Sequence, residues 1–260
     1  MTSIAIKTLP PGDIPYVLRG NAVHVWRLPV AASAAQMSDF SHLLTETERA
    51  RGSRFVREPD LLRFALGRAA TRALLSRYLA RPAAAIDLMA DANGKLRLQG
   101  ATGADQPMIH FNLSHSGDWV VIAFSRACAV GIDVEATAER AASADLIAYV
   151  MGDREQQRLQ SLPASRQRAG FFKCWTSKEA FIKGCGVGLT AALKGIEVCV
   201  DPDLPARLIG APAELHPQAW SLHTLAFPEE YAGTLAVAAP SAEIVDTGVD
   251  SWRDIAPASR

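Results

Sequence analysis

In the run AVGIDVE, residues 129–135, Gly131, Asp133 and Glu135 alternate with Val130, Ile132 and Val134. Alternate residues of a strand share one face, spaced by about 6.6 Å for a rise of about 3.3 Å per residue. Asp133 and Glu135 can therefore lean toward one cation, with open space left by Gly131. Without further partners, such a pair on the wet side of a strand is merely hydrated. A second group lies in FFKCWTSKEAFIKG, residues 171–184. Trp175, Glu179 and Lys183 recur every four residues there and share one helix face, where the last two alone would make an exposed ion pair worth a few tenths of a kcal/mol. The third group is FNLSHSGDW, residues 111–119. A strand is expected to end at Asn112, placing Ser114, His115 and Ser116 in a short loop before Gly117. Hydroxyls, an imidazole and turn amides together make a phosphate site. A Ser–His hydrolase is the other chemistry open to such a loop, but the chain has no G-x-S-x-G elbow.

These groups need strands and helices to carry them. Residues 22–28 (AVHVWRL) alternate as a half-buried strand does. Helix is expected over 45–50, with Thr45 and Glu48 forming a capping box, and over 60–80. In the latter, Leu62, Leu66, Ala69, Ala73 and Leu74 make the apolar stripe and Arg63, Arg68, Arg72 and Arg77 lie off it. Asn93-Gly94 signals a turn, and a Gly/Gln/Asp/Pro loop leads to a strand at 108–111. Strands at 119–125 and 129–135 read as a hairpin, followed by a mostly helical run over 141–183 and strands at 195–200, 220–225 and 233–238. This order predicts α+β units, 1–126 and 127–240, with a flexible tail over 241–260.

Lys plus Arg and Asp plus Glu each total 27, a balance that speaks against a general nucleic-acid binder. Residues 1–20 contain no apolar core of signal-peptide length, and no run is long enough to span a membrane. The four cysteines lack CxxC spacing and read as free thiols of a reducing compartment. A cytoplasmic location is the expectation.

Taken in order, FNLSHSGDWVVIAF, VGIDVE and FFKCWTSKEAFIKGCGVGL resemble the surfactin-type 4′-phosphopantetheinyl transferases. The weaker stretch RGSRFVREPDLLRFALGRAATRALL resembles their N-terminal half, and the likeness spans roughly residues 23–239. It implies a pseudo-dimer of two similar α+β subdomains, with coenzyme A and Mg²⁺ in the cleft between them. The activity it implies moves the phosphopantetheine arm of coenzyme A to a serine of an apo acyl or peptidyl carrier, releasing adenosine 3′,5′-bisphosphate. Asp133, Glu135 and Glu179 would be the metal carboxylates. Ser114, His115, Lys178 and Lys183 would serve the coenzyme A phosphates, Glu179 would be the base, and Arg51 and Arg63 would grip the 3′-phosphate. Lys95 matches a lysine that usually precedes proline, although Leu96 follows it here. Glu48 stands where some members carry a lysine, which removes one expected phosphate contact; Arg51 or Arg54 would compensate.

Charge arithmetic agrees with these roles. Two like unit charges about 4 Å apart repel by about 4 kcal/mol at an effective dielectric near 20. Three converging carboxylates would take up protons unless a cation joined them, and oxygen donors suit Mg²⁺. A non-catalytic coenzyme A or nucleotide-binding module would be favoured by loss of Asp133, Glu179 or Lys183, and all three are present. Carriers of fatty-acid, polyketide and nonribosomal-peptide assembly share an acidic helix beside the acceptor serine. Arg158, Arg166 and Arg168, near Phe171 and Phe172, would meet that helix. The expected working form is a monomer.

Overall fold

The computed structural model describes residues 6–8, 16–92, 94–99, 108–139, 142–187 and 193–257. Asn93 of the expected turn, residues 100–107 of the expected loop and positions 188–189 of the third motif lie outside the described residues. Strands β1 (Ile6–Thr8) and β2 (Ala22–Pro29) come first, then helices α1 (Val30–Ala34), α2 (Met37–Ser41), α3 (Glu46–Gly52) and α4 (Glu58–Leu79). Strands β3 (Leu88–Ala90), β4 (Leu96–Leu98), β5 (His110–Ser116), β6 (Trp119–Ser125) and β7 (Val130–Ala136) follow. Helices α5 (Ala144–Val150), α6 (Asp153–Ser161) and α7 (Ala164–Cys185) come next. The last strands are β8 (Glu197–Val198), β9 (Leu208–Gly210), β10 (Ser221–Thr224), β11 (Tyr231–Val237) and β12 (Glu243–Gly248). Together they form an α+β protein of two compact units: Met1–Asp91, Leu96–Ala127 and Glu243–Arg260 in the first, Ala92–Lys95 and Cys128–Ala242 in the second.

The first unit is built on a five-stranded sheet of order β1-β12-β2-β6-β5. β12 runs parallel to both of its neighbours, whereas β2, β6 and β5 pair antiparallel. Helix α4 packs on β5 and β6. Its Leu66, Ala69, Ala73 and Leu74 meet Trp26, Leu28, Ile122 and Phe124 in the core. It starts two residues before the expected position, because Pro59 in the first turn gives up an N–H that has no helical partner there. The Thr45–Glu48 capping box of α3 is present as read.

Residues 243–248 overturn the expectation of a flexible tail. β12 lies between β1 and β2, and Ile244, Val245, Trp252 and Ile255 are buried. The Trp252 ring sits 5.3 Å from that of Phe40, and its backbone N–H donates to Ser33 Oγ at 3.0 Å. These few apolar residues are enough to hold an otherwise small and polar stretch.

The second unit lays α7 across β7 and β11 of the antiparallel sheet β10-β11-β7. Phe171, Phe172, Phe181, Val198, Leu222 and Ala236 lie in its core. The expected helical run is broken into three helices, at Met151-Gly152 and at Leu162-Pro163. Of the strand expected over 195–200, only β8 forms, because residues 193–195 close a 3₁₀ turn.

Candidate active site

In the second unit, the face of β7 that carries Gly131, Asp133 and Glu135 is turned toward α7. A Cβ at Gly131 would lie 2.0 Å from the backbone oxygen of Ala180 and 2.3 Å from the nitrogen of Gly184. Only two glycines facing each other let helix and strand come so near. The expected wet side of this strand is therefore covered, and Asp133 is only 2% exposed. Glu179 is buried too, and Lys183 of α7 donates to Asp133 Oδ1 at 2.6 Å. Burial works against the charge on Lys183. Asp133 outweighs it by attraction and hydrogen bonding, Glu179 and Glu135 add to that, and the ammonium titrates above the ordinary lysine range. The three carboxylates expected around a cation thus act on one ammonium. Lys95 Nζ donates to the carbonyls of Lys183 and Gly184 at 2.6 and 3.2 Å. A cation on the last carbonyls of a helix is favourable, so Lys95 reaches the end of α7.

Lys178 requires a correction. Its ammonium is fully buried and donates to the carbonyls of Val150 and Leu193 and to Glu155 Oε2. Glu155 in turn accepts from the backbone N–H groups of Gly152 and Val198. All three ammonium donors are used inside the unit, so Lys178 holds α5, α6 and α7 together and has none left for coenzyme A. Glu155, unrecognised in the sequence, is its partner; an acidic residue in the first turn of a helix reads as an exposed dipole contact. The proposed carrier surface is also altered. Phe171 and Phe172 are fully buried, Arg166 pairs with Asp203, and Arg168 donates to the carbonyl of Thr137; Arg158 is exposed.

In the first unit, Ser114, His115 and Ser116 lie in β5 and not in a loop. The strand continues because β5 and β6 form a hairpin with only Gly117 and Asp118 between paired Ser116 and Trp119. Gly117 takes φ +53°, the positive angle that a tight hairpin needs at its first loop residue. Strand alternation then sends Ser114 and Ser116 to one face and His115 to the other. Ser114 is buried and His115 exposed, so the Ser–His pairing that a hydrolase needs is not made by these neighbours. Arg63 of α4 donates to the carbonyl of Gly117 at 2.7 Å and pairs with Asp60, fixing the hairpin turn. The Arg51 guanidinium lies 5.5 Å from the centre of the Phe64 ring.

Both motif-bearing segments have counterparts in known proteins. Residues 129–236 match the 4′-phosphopantetheinyl transferase superfamily, and residues 30–127 match the N-terminal region described for 4′-phosphopantetheinyl transferases. The chain is 33% identical over 221 residues to the 4′-phosphopantetheinyl transferase HetI of Nostoc sp., covering 85% of this chain and 90% of that one. The chain belongs to the 4′-phosphopantetheinyl transferase family. This transferase is also 37% identical over 180 residues to psf-1 of Bacillus pumilus, covering 66% of this chain and 71% of that one. With Sfp of Bacillus subtilis it shares 30% over 164 residues, covering 63% and 70%.

Asp133, Glu135, Glu179 and Lys183 of the transferase all fall within the first matched stretch, and Arg51, Arg63, Lys95, Ser114 and His115 within the second. Among the described residues, no three His, Cys, Asp or Glu side chains are gathered closely enough to hold an ion. The donor chemistry nevertheless fits Mg²⁺, since the charges that act on Lys183 are all carboxylates, the hard oxygen ligands this ion takes. No helix among the described residues is long and apolar enough to cross a membrane.

Proposed function

We propose that this transferase moves 4′-phosphopantetheine from coenzyme A to the acceptor serine of an apo acyl or peptidyl carrier, with Mg²⁺ held by Asp133, Glu135 and Glu179. The observation that carries this reading is the contact of Lys183 with Asp133 at 2.6 Å, which brings the α7 motif onto the carboxylate strand beside the buried Glu179. Bound Mg²⁺ would neutralise the diphosphate as charge builds on it. The serine Oγ attacks the phosphorus next to the pantetheine arm, its proton passes to Glu179 directly or through a water, and the phosphoanhydride bond breaks. Adenosine 3′,5′-bisphosphate leaves with the bonding electrons. Lys183 supplies fixed positive charge to the diphosphate, and His115 supplies a hydrogen bond, where negative charge accumulates.

Arg51 grips the 3′-phosphate, and Arg63 supports the turn beyond His115. The four free cysteines support a reducing, cytoplasmic location, and the balanced charge argues for protein and nucleotide partners over nucleic acid. The working form is a monomer. Incubation of the protein with coenzyme A, Mg²⁺ and an apo carrier, followed by intact mass, tests the proposal. One added phosphopantetheine is expected, and none with Glu179→Gln at equal time, because general-base help is worth about 10²- to 10⁴-fold. Coenzyme A binding without transfer to any carrier would instead make this a binding module.

A further inference from the structure

The last turn of α7 carries Lys183, and its backbone carbonyls can be followed one by one. A helix leaves its last four carbonyls without helical partners. Here the carbonyl of Ile182 accepts from the N–H of Gly186 at 2.9 Å, with Gly186 at φ +75° as the left-handed cap. The next two carbonyls, those of Lys183 and Gly184, accept from Lys95 Nζ at 2.6 and 3.2 Å. A single ammonium, from the residue that precedes β4, therefore holds the backbone of Lys183 and of its neighbour. Burial pushes the Cys185 thiol up to about 11 and the Lys95 charge works against that rise, so the charge stands beside the same turn.

The flanks of this turn are closed as well. A Cβ on Gly184 would lie 2.5 Å from the Trp220 ring and 3.3 Å from the backbone nitrogen of Gly131. Trp220 in turn packs edge-on against Phe181, with 5.5 Å between ring centres. Ring and strand leave the turn no room to slide sideways, but neither stops it from unwinding, the ordinary way in which a helix end gives. Lys95 bonds two carbonyls at that end and opposes the unwinding. What unwinding would displace is Lys183, whose ammonium lies 2.6 Å from Asp133 Oδ1. A misplacement of about 1 Å in a group that serves the reacting atoms can cost about 10²-fold in rate.

We propose that Lys95 is a positioning residue: it locks the last turn of α7 through the carbonyls of Lys183 and Gly184, and so fixes where Lys183 presents its ammonium, instead of meeting coenzyme A itself. The service of Lys183 to the diphosphate rests on the transferase reading above; the lock on the turn does not.

A double-mutant cycle of Lys95→Met and Lys183→Met on the full chain, with coenzyme A, Mg²⁺ and an apo carrier, tests the role. Lys95→Met alone is expected to lower kcat/KM by about ten- to hundredfold. In the Lys183→Met background it should cost less than about twofold, because a residue that acts through another loses its effect with it. Equal factors in both backgrounds, the result of a direct contact with coenzyme A or of a general loss of fold, overturn the proposal. Should Lys95→Met fail to fold, Lys95→Gln keeps two N–H donors and enters the same cycle with a smaller effect. The lock is also read without any ligand, by hydrogen exchange. Lys95→Met should speed exchange of the amides of residues 183–186 by about tenfold or more, the equivalent of one hydrogen bond to a charged group, and leave residues 171–178 unchanged. Unaltered exchange at 183–186 overturns the lock. Faster exchange there, in a protein that transfers nothing even as wild type, upholds the lock and overturns the transferase reading instead.

Discussion

Helices α4 and α7 are both 22 residues long, and each lies across antiparallel strands of its own unit, yet they keep different distances from those strands. On α7, backbone meets backbone, with Gly131 and Gly184 face to face. On α4 the glycine facing the sheet is Gly67, where an added Cβ would lie 3.3 Å from the flexible end of Leu113. One helix rests on peptide groups and the other on a layer of side chains. The difference follows the chemistry each must do. Lys183 on α7 meets Asp133 on a strand within ion-pair range, which requires removing the side-chain layer. The arginines of α4 reach past that layer, Arg72 to Glu48 on α3 and Arg63 to the hairpin turn at Gly117, and their length spans it without help.

The contrast breaks most severely at Gly131. A Cβ there collides with two backbone atoms that cannot step aside, so Gly131→Ala should cost more than about 4 kcal/mol of stability, the range reserved for core disruption, and abolish transfer. A urea melt and transfer rate close to wild type would show that α7 is not seated on the strand as described. Next in size is Lys178→Met, which strands Glu155 as a buried, unpaired charge. Breaking such a pair costs about 3–5 kcal/mol, and Lys178→Met combined with Glu155→Leu should recover much of it. If the single variant melts like wild type, the pair does not anchor α7.

A third prediction concerns the first unit and pH. His24 Nδ1 lies 2.8 Å from the Tyr78 hydroxyl, with the donor set by the imidazole tautomer, and that hydroxyl also accepts from the Trp26 indole. Burial lowers its pKa to about 4. Since the unfolded value is near 6.5, only the unfolded chain takes a proton as pH falls below that point. Stability should therefore drop by about 3 kcal/mol between about pH 6.5 and 4 and show no further loss from this group below. Urea melts across that range should slope less for His24→Gln; equal slopes would remove His24 from the account. The smallest effect is expected at Gly67→Ala. A helix gains about 0.5–1 kcal/mol from alanine, and displacing Leu113 returns part of it, leaving a net change of less than about 0.5 kcal/mol. A loss comparable to that of Gly131→Ala would erase the distinction between the helices.

Much of this was legible in the residues themselves. Alternation marked β7, four-residue spacing put Glu179 and Lys183 on one face, and Thr45 with Glu48 marked the start of α3. What stayed hidden depends on partners distant in the chain. Lys178 reads by its motif as a coenzyme A contact and Glu155 carries no signal of its own, and their pairing shows only once α6 and α7 pack. Ser114, His115 and Ser116 read as a loop because they are polar, although hydrogen bonding to β6 keeps them extended. β12 is a short run among polar residues, and its pairing with β2 leaves no local mark.

That last pairing sets an order on synthesis. β2 begins at Ala22 and β12 at Glu243, so one edge of β2 waits for a strand made about 220 residues later, roughly 10–40 s at about 5–20 residues per second. The strands and helices of the second unit all leave the ribosome before then and can pack while the first sheet is still open along β2. An open strand edge invites pairing with other chains. The nascent protein is thus most prone to aggregate through its N-terminal sheet, during the interval that ends when β12 emerges.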